Sequence, residues 1–195
     1  MKLLAETHAL EKLHLLKTDF AQRIKAVYEH RAKDCLTCEA PGACCLDAHF
    51  VNVHITRLEA ATIRKVIDRL PDHRQAEVFK RVEDTIAKYD LSSEGDTFAQ
   101  TYACPLFEKG IGCLVHHEGK PLPCIAHACY ENKEDLPPDD RVAEQEGRVE
   151  KLNELVYRKP ATWLPLPLAI RNRQGNYELR ITNEERAVYS RVHSS

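Results

Sequence analysis

Eight cysteines in a 195-residue chain constrain this sequence more than any other feature. They fall into two sets of four: Cys35, Cys38, Cys44 and Cys45, spaced C-x2-C-x5-C-C, and then Cys104, Cys113, Cys124 and Cys129. That share is below a disulfide scaffold's, yet high for a chain whose thiols stay reduced, unless a metal or a catalytic task claims them. Thiolates are soft donors that select zinc or iron–sulfur clusters over hard cations. A C-x2-C step lets one tight turn aim two sulfurs at one centre. Redox pairs of the same spacing sit between a strand and a helix N-terminus. Here the pair follows a helical stretch, and Pro41-Gly42 breaks the chain just after it, which favours a ligand knuckle. Neighbouring side chains such as those of Cys44 and Cys45 tend to diverge. Two sites sharing the loop, or one site plus a free thiol, are therefore easier to build than one ion held by both.

The rest of the chain reads as mainly α, with one or two short strands and a small irregular cysteine-rich region stapled by metal. Residues 1–34 form a long amphipathic helix with Leu3, Leu10, Leu13, Leu16, Phe20, Ile24 and Val27 along one stripe. Its length leaves room for a partner-binding role beside packing on its own domain. Residues 35–160 make the cysteine-cluster domain. Within it, His49 to Ile55 alternates as a strand, and Thr56-Arg57-Leu58-Glu59 is a capping box opening a helix over 57–70. Pro71 stops that helix, and Asp72 caps another over 73–89. Residues 90–137 lack periodicity and hold the second cysteine set; an irregular stretch this long needs something in place of secondary structure. A helix resumes over 139–158. Residues 161–195 form an extension packing on the domain, extended through Trp163–Leu168 because alternate prolines oppose a helix, then a strand or hairpin near Gly175-Asn176 and a short helix from Asn183.

The ordered cysteine set resembles the YkgJ-like cysteine-cluster family, the CxxCxxCC domain that chelates zinc or iron. Cys35-x2-Cys38-x5-Cys44-Cys45 matches its opening with a longer gap, and Val53-His-Ile-Thr56-Arg-Leu-Glu59 is similar to its strand and helix start. Ala103-Cys104-Pro-Leu-Phe107 and Cys113-Leu-Val-His116 look like its next elements. Lys120-Pro121-Leu-Pro-Cys124-Ile125 resembles its R-P-x-x-C-R, with both arginines replaced. The likeness covers residues 35–130 and implies a metal-binding protein. Some relatives carry a flagellin lysine-methylase activity, but no methyl-donor glycine motif stands in this chain.

These readings define the expected site: Cys35, Cys38, Cys44, Cys45, Cys104, Cys113, Cys124 and Cys129, with His127 and His116 as further candidate ligands. The centre is an iron–sulfur cluster, placed first because apolar residues surround Cys104 and Cys113, or zinc. Three functions compete: redox, metal or cluster handling; a structural-zinc module acting through protein–protein contacts; and a metal-dependent, methylase-like enzyme. No phosphate-cradling glycine loop, HExxH or GxSxG occurs. A net charge of −2 argues against a nucleic-acid partner. No stretch of about 18 apolar residues argues for a membrane span. The first residues lack the apolar core of a secretory signal, so a cytoplasmic location is expected.

Overall fold

A computed structural model describes residues 3–32, 42–46, 51–128, 130 and 132–173. Helix α1 (Glu6–Val27) crosses one side of the molecule and packs on α3 (Arg57–Ile67), α5 (Leu122–Ala126) and α6 (Asp139–Tyr157). Between these come a single helical turn, α2 (Ala43–Leu46), strand β1 (His54–Ile55) and helix α4 (Asp72–Lys88). The hairpin β2 (Phe107–Glu108) and β3 (Gly112–Cys113) follows α4, and β4 (Leu164–Pro165) comes after α6. Strand β4 runs antiparallel to β1, with His54 opposite Pro165 and Ile55 opposite Leu164.

Two apolar cores share α3. On one face, Ala60, Ile63 and Ile67 meet Val78, Val82 and Ile86 of α4, together with Tyr102, Leu106 and Leu168. On the other, Leu58 and Ala61 meet Leu10, Leu13, Phe20 and Ile24 of α1 and Val149 of α6. The capping box forms in full: the Thr56 hydroxyl accepts from the Glu59 N–H, and the Glu59 carboxylate accepts from the Thr56 N–H.

Three sequence expectations need correction. The apolar stripe of α1 does not run from Leu3 to Val27, because Leu3 lies before the helix and both residues are exposed. What the stripe includes instead is Lys17, buried at the three-and-four spacing of Leu10, Leu13, Phe20 and Ile24. Its ammonium lies 2.7 Å from the fully buried Glu59 carboxylate and donates to the Lys120 carbonyl at 3.0 Å. The second correction is the end of the Pro-Leu segment, which is extended only through Pro165. Residues 166–173 are helical, since Pro167 falls in the first turn, where a missing N–H leaves no intrahelical bond unmade. The same allowance lets Pro123 into α5, a helix inside the stretch expected to be irregular. Third, the strand expected over residues 49–55 is regular only at His54–Ile55 among the described residues. The readings at Gly175-Asn176 and Asn183 lie outside the described residues.

Candidate functional site

The second half of the cysteine set is delivered by a short hairpin held tightly in place. Tyr102 is fully buried; its N–H donates to the Val51 carbonyl at 3.0 Å and its hydroxyl to the Val53 carbonyl, while Leu166 N–H donates to the Tyr102 hydroxyl at 3.1 Å. This knot fixes the backbone two residues before Cys104. From the other side, Arg81 of α4 donates to the Pro105 carbonyl at 3.0 Å and to the Glu108 carboxylate at 2.5 Å, and Arg74 grips the second oxygen of Glu108. Cys104 and Cys113 both pack against the first core.

Each of these two cysteines begins a turn: Phe107 N–H donates to the Cys104 carbonyl at 3.3 Å and His116 N–H to the Cys113 carbonyl at 3.1 Å. The Leu106 and Phe107 amides pull the Cys104 thiol down against burial, and the Val115 amide does the same at Cys113. Amides so placed favour the thiolate, the form that ligates metals. Cys124 sits in α5, whose Leu122 and Ile125 belong to the second core. The buried Glu59 carboxylate accepts from the Leu122 N–H at 3.1 Å, so the Lys17–Glu59 pair also sets the start of the helix that carries Cys124.

The first half arrives through α2. Cys104 N–H donates to the Cys45 carbonyl at 2.7 Å, and the Gly42 backbone lies against the Phe107 ring so closely that a Cβ there would overlap it. Cys45, Cys104, Cys113 and Cys124 therefore come from three distant parts of the sequence into one electrostatic neighbourhood. Burial, then the charges of Cys44, Cys104 and Cys113, pushes the Cys45 thiol up to about 12. Burial is also the leading cause that raises Cys104 to about 11, and Cys113 adds to it. Burial and then Cys104 push Cys124 up, against the opposing charge of Lys120. Cys113 is raised by burial, with Lys120 again opposing. Lys120 thus supplies positive charge to two of the thiols.

All five described cysteines, Cys44, Cys45, Cys104, Cys113 and Cys124, are free thiols; Cys44 is exposed and the other four are half-buried. Among the described residues, no group of three or more His, Cys, Asp or Glu side chains is drawn closely enough together to clasp a metal ion as it stands. The donor chemistry nevertheless fits a thiophilic metal. Cys45, Cys104, Cys113 and Cys124 are soft donors, and the repulsion between their thiolates is what a bound cation would reverse. Cys35, Cys38 and Cys129 lie outside the described residues. His116 and His127 are exposed, and partial desolvation, followed by the charge of Lys120, lowers the basicity of both rings.

Sequence reasoning missed Lys17, Glu108, Arg74 and Arg81, which hold the elements bearing the cysteines. Only Lys17 left a signal, a charge at an apolar register position. No helix among the described residues is long and apolar enough to cross a membrane. No family model, no curated protein and no solved structure matches the chain.

Proposed function

We propose that this chain is a metal-binding protein whose centre uses the thiolates of Cys45, Cys104, Cys113 and Cys124. The observation that carries this reading is the convergence of four half-buried thiols from α2, the hairpin turns and α5 on one neighbourhood. Without a cation, that arrangement gathers ionisable groups that oppose each other's ionisation. The backbone amides that pull the Cys104 and Cys113 thiols down against burial support the same reading, as does the resemblance of the cysteine order to the cysteine-cluster family. The apolar side chains of Leu106, Val115 and Ile125 are buried on the residues next to the ligands. Such a shell suits an iron–sulfur cluster, placed first, and zinc second. When bound, either group would tie the α2 turn, the hairpin and α5 together, and metal and fold would then be gained and lost together.

Substitution tests the ligand set. Cys45→Ser and Cys113→Ser should each lose most of the bound metal and lower the melting temperature together, as read by elemental analysis and calorimetry on the same sample. Full metal content with unchanged melting in both variants would overturn the assignment.

A further inference from the structure

Away from the cysteines, residues 92–100 form a surface lobe with a narrow hold on the molecule. None of them is buried, whereas Leu91 before the lobe and Tyr102 after it belong to the first core. The lobe closes on itself. Ser92 N–H donates to Gln100 Oε1 at 3.0 Å, and Gln100 Nε2 donates back to the Ser92 carbonyl at 3.1 Å. The Asp96 carboxylate caps the 3-10 turn Thr97–Ala99 by accepting from Phe98 N–H at 3.1 Å. Among the described residues, the hydrogen bonds that tie the lobe to the rest of the chain come from two side chains at β1. Asn52 Nδ2 donates to the Phe98 carbonyl, and His54 Nε2 donates to the Thr97 carbonyl at 3.0 Å. The His54 residue is only 3% exposed, and its ring stacks against Phe98, which is itself 61% exposed. A titratable side chain is thus buried beneath a segment that has no buried residue of its own.

We propose that His54 is an acid-released latch: when its ring takes up a proton, residues 92–100 lift from β1 while the rest of the fold stays closed. The neutral ring already makes the short bond to Thr97. Protonation adds a donor only toward the Asn52 carbonyl, 3.4 Å from Nδ1, a weak contact at that distance. Asp96 is the charged group that faces the ring and favours the cation, but its carboxylate is already engaged by Phe98 N–H. From β4, Pro165 stands opposite His54 with Leu164 beside it, and neither brings a charge. Burial outweighs these gains, because an imidazolium held out of water loses its hydration. Lifting the lobe returns the ring to water and exposes no apolar core, since the lobe contributes none. Segments of this kind open at far lower cost than the whole fold. The open form therefore binds the proton more tightly than the closed one. Closure is fully favoured above about 6.5 and weakens as pH falls below it, by up to about tenfold in the opening equilibrium per pH unit.

Amide hydrogen exchange of the full chain, followed by NMR from pH 7 to 5 and divided by the intrinsic rate at each pH, tests the latch. Opening at the Phe98, Ala99 and Gln100 amides should rise by up to about tenfold per pH unit below 6.5, with the Ile63 and Ile67 amides of α3 unchanged. His54→Gln keeps an N–H for the Thr97 carbonyl but does not titrate, so the rise should vanish. Phe98→Ala removes an exposed side chain, leaves the core intact, and should increase lobe opening severalfold already at pH 7. The His54 ring resonances of the wild type should titrate below 6.5. Wild-type opening independent of pH, an equal rise in His54→Gln, unchanged opening in Phe98→Ala or a ring that titrates above 6.5 would each overturn the latch. So would exchange at Ile63 rising in step with the lobe, because acid would then be unfolding the chain as a whole.

Discussion

At the scale of single residues, the most consequential is Lys17. A charge buried without a partner costs several kcal/mol, whereas a paired and hydrogen-bonded one is tolerated. Lys17 meets both requirements through Glu59 and the Lys120 carbonyl, while Glu59 also holds the Thr56 and Leu122 amides. Lys17→Met should therefore cost about 3–5 kcal/mol of unfolding free energy, because it leaves a fully buried carboxylate unpaired. Chemical denaturation measures this, and a loss below about 1 kcal/mol would mean that the pair does not carry the interior assigned to it. His54 makes a second prediction. Its buried ring stacks on Phe98 with centroids 4.2 Å apart, and its two nitrogens face the carbonyls of Thr97 and Asn52. Burial holds its pKa below 6.5, against the opposing pull of those carbonyls and of Asp96. The unfolded chain therefore takes up the proton first as pH falls, so this contribution to stability is present above about 6.5 and lost below it. Melting temperature followed from pH 7 to 5 should fall less steeply in His54→Gln than in the wild type. Identical slopes would contradict the buried, neutral ring.

At the scale of elements, how much could be read in advance depended on whether the determinant was local. The capping box at Thr56–Glu59 and the apolar spacing of α3, α4 and α6 are short-range patterns, and those helices begin and end within a few residues of where the sequence puts them. Helix α5 and residues 166–173 were hidden because proline argues against a helix everywhere except its first turn, where both segments place it. The hairpin was illegible for a different reason. Its strands are two residues each, too short for a period, and it is fixed by Arg74 and Arg81 from α4 and by Tyr102 rather than by its own pattern. The contact between α2 and this hairpin rests on Gly42, at φ +85° and against the Phe107 ring. Gly42→Ala should cost about 1–2 kcal/mol from the backbone alone. It should also lift α2 from the hairpin, which metal retention during gel filtration would register as a loss. Unchanged stability and retention would mean that the contact is not what holds Cys45 near Cys104.

For the whole molecule, the cysteine count gave the chemistry before the geometry. Two sets of four were visible in the spacing, but which members meet was not, since Cys45 and Cys104 are joined by a backbone hydrogen bond, the hairpin is held by arginines of α4, and Cys124 rides on α5 packed against α1 and α6. The two cores meet along α3, and the cysteine-bearing segments draw on both: Cys104 and Cys113 lie against one, and α5 is rooted in the other. A bound metal would then join the two halves. The N-terminal helix spends its main apolar stripe inside the chain, and the large apolar side chains it leaves exposed are Leu15 and Val27. The central claim is that the four thiols hold a metal. Its most direct test is the metal content and visible spectrum of the full chain purified without oxygen and without added metal. A metal should be bound in stoichiometric amount, either iron with acid-labile sulfide in a brown protein or zinc in a colourless one. Protein that carries neither, and whose melting temperature is unmoved by a strong chelator, would contradict it.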